Sequence, residues 1–209
     1  MKVQRNVLTE PEAHEIFKPI YPELNQIVSD SFRSVRELIE MQKAQGFEKF
    51  LPAVNAMNMY YYLVNHSIKM FGPKIGYKRD IVPVLYSKSR IFGLKYLDAA
   101  FIRFKKLDDD FMPSKGQTDQ AKALNCQLDT GFFPSKPCII TIGYRVDYFW
   151  DELLNINMLC INSVKKKDVF WNIPIDREAV PHVEFDFTDF NEEVSYSVEK
   201  LIRTKNKKA

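Results

Sequence analysis

Residues 97 to 147 decide how the chain is read: LDAAFIRFKKLDDDFMPSKGQTDQAKALNCQLDTGFFPSKPCIITIGYRVD. Two runs in it, Phe101 to Leu107 and Cys138 to Val146, are rich in β-branched and aromatic residues, the composition of strands. Between them, Asp108-Asp109-Asp110 and Pro113-Ser114-Lys115-Gly116 are loop chemistry. Thr118 then stands where a helix N-cap belongs, ahead of a segment from Asp119 to Leu128 rich in Ala, Lys, Gln and Leu. Gly131, Pro134 and Pro137 close that segment. A strand, a helical insert and a second strand are therefore expected, with the insert spanning residues 108–137.

Upstream of this stretch the period is helical. Thr9-Glu10-Pro11-Glu12 has a capping-box spacing with the proline inside the first turn, where its missing N–H costs little. From Glu23 to Gln45, Leu24, Ile27, Val28, Phe32, Val35, Leu38 and Ile39 repeat at three and four, so one face of a helix is apolar, and Gly46 is placed to end it. A second helix is expected from about Phe47 to Phe71, stopped by Gly72-Pro73. Beyond Gly72 the period shortens towards two. Tyr77 to Arg90 is β-prone, and Pro83 places that strand at an edge or starts it at Val84. The segment from Ile91 to Ala100 is open between states. Downstream, Leu153 to Ile161 and Val169 to Ile175 form a hairpin across the polar link Asn162 to Asp168, and His182 to Phe187 alternates as a strand.

The expected architecture is α+β, an N-terminal helical pair followed by a largely antiparallel β-sheet with a short helical insert. Its parts are a helical region over 1–72, a sheet region over 73–190, and a C-terminal segment with a basic tail over 191–209, together one compact domain. With 209 residues, 45% of them hydrophobic and 27% charged, the chain has the composition of a globular protein with one sizeable core. The opening MKVQRNVLTE lacks the apolar stretch of a secretory signal, and no apolar run reaches the roughly 18 residues of a membrane span. Cys126, Cys138 and Cys160 are odd in number and widely spaced, which fits reduced, buried thiols in a cytoplasmic protein.

A net charge of +3 makes the chain no general polyanion binder, so a basic surface has to come from local clustering. Two segments offer one, Tyr86 to Arg90 and Phe101 to Lys106. On a strand Lys88 shares a face with Arg90, and Arg103 shares one with Lys105. If the two strands are neighbours, these four cations line one exposed face, with Lys106 and Lys115 close by. Such a face suits an acidic protein or nucleic acid. The plainer reading is a solvated sheet whose charges guard an edge. A helix start near Lys115 and Thr118 is an anion site only if something besides a capped helix points there.

Catalytic templates fail on spacing. Asp108 to Asp110 lacks the glycine and glutamate of a calcium loop, with Pro113 and Asp119 in their places. Gly72 to Lys78 misses the phosphate-loop pattern. A metal-dependent nuclease core needs an acid followed by acid-x-Lys; Asp98 supplies the first, but Arg103-Phe104-Lys105 puts a cation where the second carboxylate belongs. His182, Glu184 and Asp186 share one strand face without a second element to complete a metal site. The expected function is a non-catalytic interaction or regulatory protein that grips an acidic macromolecule, with no cofactor, no metal, no membrane and no small-molecule substrate. The alternative is a metal-dependent enzyme acting on nucleic acid or a nucleotide, its acids (Asp98, Glu184, Asp186) brought together by the fold.

Overall fold

The structure, a computed structural model, describes residues 5–47, 51–72, 80–86, 91–113, 119–129, 133, 136–161 and 169–176. All of these lie in the first of two units, Met1–Glu178; the second is Ala179–Ala209. The fold of the first unit is α+β. Helix α1 (Glu10–Phe17) and a 3-10 turn (Lys18–Ile20) lead into α2 (Tyr21–Ala44), and α3 (Pro52–Phe71) follows. A six-stranded sheet then runs in chain order: β1 (Ile81–Tyr86), β2 (Ile91–Tyr96), β3 (Ala100–Lys106), β4 (Cys138–Val146), β5 (Leu153–Ile161) and β6 (Val169–Pro174). Helix α4 (Asp119–Asn125) lies in the insert between β3 and β4.

Local chemistry sets the helix ends. The Glu12 carboxylate accepts the backbone N–H and the hydroxyl of Thr9, each at 2.8 Å, and these bonds hold its pKa below the usual value. Helix α2 ends where Gly46 takes φ +86°, a conformation that costs a glycine nothing. Phe47 N–H then reaches back to Gln42 O, and Gly46 N–H to Lys43 O, satisfying the last carbonyls. Helix α3 begins at Pro52 rather than Phe47, because a proline is well placed at a first helical position and disfavours helix in the residue before it.

One face of the sheet carries the main core. Leu24, Ile27, Val28, Val35 and Ile39 of α2, with Met59 and Leu63 of α3, cover Leu94, Ile102, Phe104, Ile140, Ile142, Met158 and Trp171. These are alternate residues of their strands, so the period-two and period-3.6 patterns meet across one layer. The indole N–H of Trp171 donates to Leu8 O at 2.7 Å, and Tyr96 O–H donates to Ile16 O at 3.2 Å, tying the N-terminal segment and α1 to the sheet. No helix among the described residues is long and apolar enough to cross a membrane.

Two features of the sheet differ from the expectation. The open segment from Ile91 contributes a full strand, β2, which pairs with both β1 and β3. And β3 and β4 run parallel, Ala100 facing Cys138 through to Lys106 facing Tyr144, while the other four pairings are antiparallel. A parallel pair needs a crossover, and the insert with α4 provides it. Helix α4 ends three residues short of Leu128 because Gln127 turns the chain at φ +52°. Leu128 N–H then bonds Ala123 O, and Gln127 N–H bonds Leu124 O, the Schellman pattern with glutamine where glycine is usual.

Candidate basic site on the insert face of the sheet

The sheet face opposite α2 and α3 is apolar at both ends and polar in its centre. Phe101 and Ile139 meet Leu124 of α4 and Phe133 at one end. Leu107, Met112, Leu159 and Ile161 cluster at the other. Gly143 makes the second cluster possible, since a Cβ there would run into the Leu107 side chain. Between them, strand register sets Arg103 opposite Thr141 and Lys105 opposite Gly143, with Asn157 beyond Gly143 on β5. Arg103 and Lys105 therefore share a face, as alternation on one strand requires.

Arg103 is only 5% exposed, so it does not stand on an open basic surface. Helix α4 and the strand beside it enclose it. Its Nε donates to Thr141 Oγ1 at 3.0 Å and its Nη2 donates to Asn125 Oδ1. Both partners are neutral, and among the described residues no carboxylate pairs with it. Burial pushes its pKa down to about 10, which still leaves the guanidinium charged at neutral pH. Lys105 is exposed one step along the same face. Its pKa is also lowered, first by partial desolvation and then by the charge of Arg103. The two like charges repel each other, and among the described residues no acid is ion-paired with either.

The other cations are placed differently. Lys106, adjacent in sequence, points to the opposite face, where its Nζ lies 4.8 Å from the centre of the Trp150 ring. Desolvation lowers its pKa, with Asp147 partly opposing. β1 and β3 are not neighbours, because β2 lies between them. Lys88, Arg90 and Lys115 lie outside the described residues, as does the strand pattern from His182 to Phe187 with Glu184 and Asp186. Arg145, which sequence reading passed over, shares the face of Arg103; it is ion-paired to Asp109 at 2.8 Å and stacks on Phe111. Asn157 is buried, donates to Asn172 Oδ1 at 2.8 Å, and leaves its own Oδ1 without a partner. Asp98 sits in the β2–β3 turn, ion-paired to Lys95 at 2.6 Å and at the other end of β3 from Lys105. Among the described residues no group of three or more metal-ligating side chains comes together.

The chain matches no known protein family, and comparison with curated proteins and with solved structures finds no similar protein.

Proposed function

We propose that this chain is a non-catalytic binding protein that holds an acidic macromolecular partner on the insert face of its sheet. Lys105 is the contact residue and Arg103 the fixed charge beneath it. The observation that carries this reading is a missing counter-charge: a buried guanidinium that, among the described residues, is held only by neutral groups, with exposed Lys105 beside it on the same strand face. Burying a cation without an acid is costly, and an anion arriving over Lys105 relieves both charges at once. The field of a buried, uncompensated charge is weakly screened, so it reaches a partner that Arg103 never touches.

The test is a titration of the full chain with short single-stranded DNA, a duplex of the same sequence, and polyglutamate. The wild type should bind at least one of them, with affinity falling as salt rises. Lys105→Glu should weaken that binding by about tenfold or more, on the order of 1.4 kcal/mol. Lys18→Glu, the same charge change at an exposed site on the helical side, should leave it nearly unchanged. Equal losses from the two variants, or binding to none of the three polyanions, would remove the proposal.

A further inference from the structure

A second surface of the molecule has the opposite character. The C-terminal turn of α2, the start of α3 and the β4–β5 turn enclose a groove of about 870 Å³. Its walls include Phe47, Leu51, Tyr148 and Phe149, which are 61%, 65%, 78% and 73% exposed. From Leu51 the apolar surface continues along one stripe of α3 through Val54, Met57 and Tyr61, spaced three and four apart and all exposed. Scattered apolar residues on a surface mean little, but a contiguous patch of aromatic, Met and Leu side chains has the composition of an interface core.

The turn that presents Tyr148 and Phe149 is built rigidly. Asp147 Oδ1 accepts the N–H of Asp151 at 2.6 Å and of Glu152 at 2.9 Å, and Oδ2 accepts the N–H of Phe149 at 3.1 Å. Desolvation pushes the Asp147 pKa up, and these bonds, with Arg36, outweigh it and hold the group below its ordinary value. Trp150 follows at φ +63° and is buried, which turns Tyr148 and Phe149 outward. Two exposed rings are thus held in place beside a concave groove.

We propose that this surface is a self-association interface, and that its occupant is a second copy of the same chain related by a two-fold axis. Two arguments select that partner. Among the described residues the rim carries paired charges of both signs: Arg36 pairs with Asp151 and Glu40, and Lys43 pairs with Glu40 at 2.9 Å. A strongly acidic or basic partner would compete with these ion pairs, whereas a second copy brings the same apolar residues to the same place. The area also fits. Large apolar side chains at this level of exposure present roughly 100–150 Å² each. The seven of them therefore approach the ~800 Å² per partner of a standard interface. A two-fold contact is isologous, so a projecting ring pair and a groove side by side on one surface fill each other twice.

The experiment is sedimentation velocity on the full chain from about 1 to 100 µM, the range where an interface of this size associates. The expected result is a concentration-dependent dimer that persists at high salt. Tyr148→Ser with Phe149→Ser should raise the dimer dissociation constant at least about tenfold. Leu51→Ser, a single exposed change on the helical wall, should raise it as well, and it guards against a turn variant that fails to fold. Circular dichroism should match the wild type for each. A wild-type monomer at every concentration overturns the proposal, as does a dimer that these variants do not weaken. Binding to neutral lipid vesicles by a chain that stays monomeric also overturns it. The Lys105→Glu variant should dimerise normally, which separates this surface from the basic face.

Discussion

Gln127→Ala should lower the stability of the fold by about 3–6 kcal/mol, a large part of what a domain of this size holds. The side chain is completely buried and does the work of a missing strand residue. The paired register of β4 and β5 ends at Ile140 and Cys160. Past that point the Gln127 amide bridges the strands. Its Nε2 donates to Ile139 O at 2.7 Å and to Ile161 O at 3.2 Å, while its Oε1 accepts Ile139 N–H at 2.9 Å. Alanine leaves one N–H and two carbonyls buried without these partners, at roughly 1–2 kcal/mol for each group. Gln127→Glu should do no better, because a carboxylate cannot donate to two carbonyls and would bury a charge.

A second substitution at the same position separates the side chain from the backbone. Gln127 holds φ +52°, which costs a residue with a Cβ roughly 1–2 kcal/mol and glycine almost nothing. Gln127→Gly should therefore be more stable than Gln127→Ala, although it too lacks the amide. Urea denaturation measures both, read as midpoint shifts at constant slope. If Gln127→Ala lay within about 1 kcal/mol of wild type, the bridging role would be wrong.

Much of this fold was legible in the amino-acid order, for reasons that can be named. The bounds of β4 and β5 follow from long β-branched runs cut off by Pro137, Asp147 and the polar link after Ile161. The end of α2 follows from Gly46, and the edge position of β1 from Pro83. β2 was not legible, because Gly93 and Lys95 interrupt its pattern. The structure supplies the reason for Gly93: any Cβ there would meet the Ile102 carbonyl and the Phe101 ring. That is long-range information, invisible within a window of ten residues. The parallel pairing of β3 and β4 depends on where the insert crosses, which composition does not record.

The site was half legible. Alternation placed Arg103 and Lys105 on one face, and the structure keeps them there. What alternation cannot say is whether a face is covered. A signal was present: apart from Arg103, the run from Ala100 to Phe104 is apolar without a break, the pattern of a strand buried on both sides. Read that way, Arg103 is the one polar group in a doubly covered strand and needs partners inside the protein. Asn125 was the natural candidate, since the insert helix that covers the strand ends on it.

Those partners define the second large effect, a double-mutant cycle between Arg103 and Asn125. Asn125→Leu, nearly the same volume, should cost about 2–4 kcal/mol, because it removes a carbonyl from a buried cation that has, among the described residues, only one other hydrogen-bond partner, Thr141. Arg103→Met should change stability little. It relieves the buried charge but orphans the acceptors on Asn125 and Thr141, and these terms oppose each other. The double variant removes charge and acceptor together, so it should be at least as stable as wild type, as when buried ionic groups give way to apolar ones. The coupling is then about 2–4 kcal/mol, well above the few tenths expected of independent sites. Lys105 provides a check that packing alone would not move. The Arg103 charge helps hold its pKa down, so in Arg103→Met the Lys105 pKa should rise, followed by NMR of a labelled ε-amine. The sign follows from removing a like charge: with Arg103 gone, protonated Lys105 is favoured to higher pH. Polyanion binding should fall in the same variant while its stability holds. If Asn125→Leu cost nothing, or the Lys105 pKa stayed where it was, Arg103 would not be the uncompensated charge on which the proposed site depends.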